Sequence, residues 1–189
     1  MLTNNAKVLQ TNSLLESYDV FQQGLTLYDG SDVSQYSGYY YVNVHSFYKL
    51  KTLMKTPADA TYVGTNKTTP IRGVVFGTGT TAPTENDYKL SGDAIAGLSN
   101  SNITMNEEAT YDDSGAAITV VYTISNTTGA EITIGEVGLL DTLKTKESSV
   151  YAEKYHTILW ERTVLGSPVT IPAGGVGQVT YTIRMNYPT

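Results

Sequence analysis

The chain has 189 residues, enough for one full domain and short for two, and 18 acids against 12 bases leave it a net charge of −6. That balance argues against a protein held to nucleic acid by phosphate neutralisation, which needs clustered Lys and Arg. The absence of cysteine excludes disulfides, thiol nucleophiles and thiolate metal sites, and no apolar run approaches the ~18 residues of a membrane-spanning helix.

The first twenty residues lack the basic start and apolar run of a secretory signal, so folding in a reducing cytoplasm is expected. The Asn-x-Thr triplets at Asn66, Asn102 and Asn126 are then expected to carry no glycan. Ser13 and Glu16 have the spacing of a capping box, in which each side chain satisfies an unpaired amide of the first turn. Behind it Leu14, Leu15, Tyr18, Phe21 and Leu25 fall on one helical face, which predicts a helix over 14–23 with Gly24 as its stop. Asp29-Gly30 reads as a turn, and Ser31 to Gly38 as a polar loop.

From Tyr39 the period changes to two. Strands are predicted over Tyr39–Val44, Phe47–Leu53 and Ile71–Phe76, followed by a turn-rich stretch from Gly77 to Asn106 with a helical turn opening at Thr84. Further on, Ile118, Val120, Tyr122 and Ile124 alternate with Thr119, Val121, Thr123 and Ser125, as in a strand with one buried face. Asn126 to Gly129 makes a turn, and strands are predicted over Glu131–Leu140, Ile158–Val164 and Val176–Asn186. In the last strand Val179, Tyr181 and Ile183 take the core face, entered through the turn Pro172–Gly175. With 28 Thr, 17 Gly and 15 Tyr, this is the composition of an all-β protein. Short strands between Gly/Pro/Asn turns point to an antiparallel β-sandwich, jelly-roll or Ig-like, with a short N-terminal helix and extension. The expected organisation is an arm over residues 1–35 and one sandwich domain over 36–189.

Candidate chemistry is sparse. His45 and His156 stand far apart in strand-like contexts with no nucleophile arrangement nearby, as rim or surface residues would. Gly77 to Ala82 fits G-x-G-x-x-A, but Pro83 follows where a dinucleotide fold needs a helix. Glu107, Glu108, Asp112 and Asp113 lack the spacing of a calcium loop and read as a solvated loop. No catalytic residue, cofactor or metal is therefore assigned. Tyr usage is the more informative feature, because Tyr suits surfaces with one wet end. The interface candidates are Tyr36, Tyr39, Tyr40 and Tyr41, together with the helical stripe Leu14, Leu15, Tyr18 and Phe21.

Four segments carry a resemblance. Gly77-Thr-Gly-Thr-Thr-Ala-Pro-Thr84 with Asp87 and Leu90, Ile134-Gly-Glu-Val-Gly-Leu-Leu140, Leu159-Trp-Glu-Arg-Thr-Val-Leu165 and Val179-Thr-Tyr-Thr-Ile183 occur in that order. Together they resemble small structural proteins of tailed-phage particles, over about residues 71–186. The resemblance implies a β-sandwich virion protein, not an enzyme, decorating or stabilising the capsid or otherwise part of the neck or tail. Its expected partners are capsid or tail subunits and further copies of itself, with no nucleic acid or membrane, on a virion assembled in the host cytoplasm. A carbohydrate-binding or host-adhesion module, using the Tyr-rich surface on a glycan, is the alternative. A hydrolase on a jelly-roll scaffold comes third.

Overall fold

The computed structural model describes residues 26–31, 38–41, 54–58, 72–96, 98, 103–112, 115–147 and 153–186. Its named elements are seven strands: β1 (Gly38–Tyr41), β2 (Gly73–Gly77), β3 (Ile103–Asp112), β4 (Gly115–Ser125), β5 (Ile132–Glu147), β6 (Glu153–Ile171) and β7 (Val176–Asn186). The helix predicted over 14–23 and the strand predicted over Phe47–Leu53 lie outside the described residues.

All strand pairs are antiparallel and form two sheets. In the first, β5 carries β6 along one edge, with β2 and β1 in tandem along the other. The second has the order β3-β4-β7. Alternation sets its inner face, where Ile118 lies opposite Ile183, Val120 opposite Tyr181 and Tyr122 opposite Val179. All six are buried, as their period of two requires, in one core with Val74, Phe76, Val137, Leu139, Ile158 and Trp160 of the first sheet. The rings of Phe76 and Tyr122 meet edge to face at 5.4 Å. The Tyr122 hydroxyl donates to the Met54 carbonyl at 2.6 Å, so burial raises its pKa without leaving it unpaired.

The first sheet is covered on its outer face as well. Val75, Leu140 and Leu159 point away from the main core and pack with Ala58 and Leu90, against which Tyr28 and Ala94 also lie. This double burial erases alternation along β5, which is buried continuously from Ile134 to Thr142. A register shift between Leu139 and Leu140 adds to the effect. Leu159 faces the outer cluster, Trp160 the main core, and Glu161 the core residue Tyr181.

Several expectations are corrected here. β5 and β6 run well beyond the predicted Glu131–Leu140 and Ile158–Val164. The turn-rich stretch ends at Ile103 rather than Asn106, because β3 begins there. Glu107, Glu108 and Asp112 belong to β3 and not to a solvated loop, while Asp113 lies outside the described residues. On β3, Glu107 lies opposite core-facing Val120 and pairs with Lys55 at 3.3 Å. Residues 26–31, assigned to the arm by the sequence, sit on the body. Leu27 enters the main core, and the Tyr28 amide donates to the Thr157 carbonyl on β6.

Candidate functional site

On the outer face of the first sheet, a carboxylate and a guanidinium lie beneath the loop that follows β2. Glu136 comes from β5 and is 0% exposed; Arg162 comes from β6 and is 1% exposed. In the β5–β6 register, Arg162 lies opposite Gly138 and Glu136 opposite Val164, so the two charged side chains are diagonal neighbours on one face. A Cβ at Gly138 would stand 2.8 Å from Leu90 Cδ2, so a larger residue there would push that side chain aside.

Glu136 accepts on both oxygens. Oε1 receives the amides of Gly79 at 3.1 Å and Gly92 at 2.8 Å. Oε2 receives the Ser91 amide at 3.1 Å, its hydroxyl at 3.2 Å and Arg162 Nη1 at 2.7 Å. Arg162 then donates from Nε to Asp87 at 2.8 Å and from Nη2 to the Thr81 carbonyl at 2.9 Å. Asp87 in turn caps the turn at Thr84, accepting its amide and its hydroxyl at 2.9 Å each. Burial alone would raise the Asp87 pKa, but the hydrogen bonds from Thr84 and the Arg162 charge outweigh it and hold the carboxyl below its ordinary value.

The two ends of the loop lie side by side. Thr78 Oγ1 accepts the Asp93 amide at 3.1 Å, and the Thr78 amide donates to the Asp93 carbonyl at 3.0 Å. Gly79 and Gly92 touch back to back, and a Cβ on Gly79 would collide with the Ser91 hydroxyl and Glu136 Oε1. Tyr28 closes the flank, its hydroxyl accepting the Leu90 amide at 3.3 Å. Burial, helped by the Glu136 charge, pushes this phenol up to about 12.

Chemically this arrangement is a clamp. Both Glu136 oxygens accept hydrogen bonds and Arg162 donates from all three of its nitrogens, so the two charges tie the loop to the sheet. Among the described residues no cluster of His, Asp or Glu is placed to hold a metal ion. Gly77 to Ala82 leads into this pinned loop and not into a nucleotide-binding helix.

Comparison with known families, curated proteins and solved structures finds no match.

Two further polar groups are buried in the same manner. Glu161 accepts the hydroxyl of Tyr181 and, at 2.7 Å, that of Thr163. Full burial and then the Glu161 charge raise the Tyr181 pKa, keeping the phenol protonated as a donor. Asn126 joins the two turns at one end of the body. Its amide nitrogen donates to the carbonyls of Ala130, Ile171 and Pro172, and its oxygen accepts the amide and hydroxyl of Thr128. A side chain so enclosed leaves no acceptor for a glycan at Asn126. Asn66 and Asn102 lie outside the described residues.

Of the predicted interface residues, three fall among the described residues. Leu14, Leu15, Tyr18, Phe21 and Tyr36 lie outside the described residues. Tyr39, Tyr40 and Tyr41 stand on β1, opposite Lys146, Thr145 and Lys144 of β5. His156, expected at a rim, is buried and 5% exposed; His45 lies outside the described residues. Sequence reasoning overlooked Glu136, Arg162 and Asp87. A usable signal existed, since Glu136 and Arg162 interrupt apolar runs in a chain with only 16% charged residues. A charge inside such a run must find a buried partner.

Proposed function

We propose that the chain is a structural protein of a tailed-phage virion, a β-sandwich that decorates or stabilises the capsid, or otherwise serves in the neck or tail, through protein–protein contacts. The two antiparallel sheets among the described residues share one core, which supports a β-sandwich of the jelly-roll or Ig-like kind. The observation that carries the reading is the convergence of the segments behind the resemblance. The loop from Gly77 supplies Thr81, Asp87 and Leu90; Ile134–Leu140 supplies Glu136; Leu159–Leu165 supplies Arg162 and Glu161; and Val179–Ile183 supplies Tyr181. Segments far apart in sequence thus meet in two polar groups that tie the body together. A particle component needs such cross-links when disulfides are absent, and it needs no active site.

The test is reconstitution. Purified chain is added to tailed particles assembled without it, and bound copies are counted by quantitative gel densitometry. Saturable binding at a fixed ratio to the major capsid or tail protein is expected. Binding to isolated glycans with none to particles would replace this reading with the adhesion module.

A further inference from the structure

The strand edges of the two sheets are not treated alike. A long flat edge with unused backbone groups recruits other strands, and proteins blunt such edges with short strands, inward charges, bulges or covering segments. Among the described residues β1 has only four. Beside β2, the Ala58 and Ile95 amides donate to the carbonyls of Val74 and Phe76, so chain segments flank that strand. β6 is met by the Tyr28 amide at Thr157 and is broken by register shifts against β5. β3 carries the inward acid Glu107 with its Lys55 partner.

Among the described residues β7 has none of these devices. It runs eleven residues, pairs with β4 without a register shift, and contains no proline, no lysine and a single charge, Arg184. Among the described residues β4 is its only partner strand. Its first residue, Val176, is 63% exposed and is the one large hydrophobic side chain left so open among the described residues.

We infer that β7 forms the contact between two copies of this chain, pairing antiparallel with β7 of a second copy about a two-fold axis at Tyr181. This register overlaps all eleven residues and is self-complementary. Thr180 lies opposite Thr182 of the second copy, and Val179 opposite its Ile183, so polar positions meet polar and core positions meet core. Gln178 lies opposite Arg184 of the second copy, which keeps the two arginines far apart. The product is a continuous six-stranded sheet spanning both copies. The inference stands apart from the virion reading and is measured on the purified chain alone.

Sedimentation equilibrium of the full chain at ~100 µM tests it, since a contact made by one strand pair is a weak one. The expected mass is twice that of the chain. Gln178→Lys sets like charges opposite each other at two places in the dimer and should raise Kd by about tenfold. Gln178→Glu should lower it, and Gln178→Lys with Arg184→Glu should restore the dimer. Gln178 is exposed, and its one hydrogen bond, to Thr123 Oγ1 at 3.2 Å, lies at the surface, so thermal melting should confirm that each Gln178 variant is folded. A wild-type chain that stays monomeric at this concentration overturns the inference. So does a dimer whose Kd is indifferent to all three variants.

Discussion

Replacing Glu136 by Gln keeps the shape of the side chain and halves its capacity to accept. Oε1 can still take the amides of Gly79 and Gly92. The new NH2 group, however, faces the Ser91 amide and Arg162 Nη1, two donors that cannot reverse. A buried amide left without an acceptor costs about 1–3 kcal/mol. Breaking a buried ion pair costs about 3–5 kcal/mol, here lessened because Asp87 still holds Arg162. A loss of about 4 kcal/mol is expected, a large fraction of the 5–15 kcal/mol typical of a domain. For a chain of this length that is a fall in Tm of roughly 8–16 °C. Urea unfolding followed by circular dichroism, with the slope unchanged, would measure it. Limited proteolysis should find its first new cuts between Gly77 and Asp93. A second variant, Glu136→Met with Arg162→Met, removes both buried charges yet leaves the amides of Gly79, Ser91 and Gly92 orphaned, so the same loop should be cut while the body stays folded. A Glu136→Gln chain within about 1 kcal/mol of wild type, with the loop still protected, would refute the assignment of this carboxylate as the hub.

Gly79→Ala should cost at least as much as loss of a cap, about 2 kcal/mol or more, because the methyl collides with Ser91 and Glu136 and the loop must lift; thermal melting checks it. Asn126→Asp should destabilise more than Asn126→Ala, since a carboxylate would face three carbonyl oxygens at a buried position; urea midpoints of the two variants decide the order. Ile183→Asp buries an unpaired carboxylate against Ile118, costs several kcal/mol and should leave the chain insoluble, which fractionation after expression would show. Tyr28, Tyr122 and Tyr181 have pKa values raised by burial, so the folded state keeps phenol protons that the unfolded chain releases. Stability from these groups is complete below about pH 10 and is lost as pH rises towards and beyond the folded value of about 12 for Tyr28, so Tm should fall steadily from about pH 10 upward.

Legibility in the sequence followed burial. β7 matches its predicted span, Val176–Asn186, because one of its faces is wet and the other dry, which writes a period of two into the residues. β5 and β6 were foreshortened for the opposite reason. Where Leu140 and Leu159 face an outer cluster and Leu139 and Trp160 the main core, both faces are apolar and the alternation vanishes. β3 was hidden by Glu107, which occupies an inward register position at an edge and is matched by Lys55, a partner far away in sequence. The ionic group of Glu136, Arg162 and Asp87 was visible only as separate motif fragments, because a sequence does not state which loop lies over which sheet. The segment around Tyr28 misled on similar grounds: a short polar stretch with a Gly turn looks like a tether until Leu27 and Tyr28 are seen to dock.

The role we propose for the chain is that of a building block of a particle. Quantitative mass spectrometry of tailed particles, purified to constant density from cells that carry the gene, tests this most directly. The predicted result is the chain present at a fixed, small-integer ratio to a major virion protein, retained through washing in high salt. A chain abundant in the lysate and missing from those particles would contradict it.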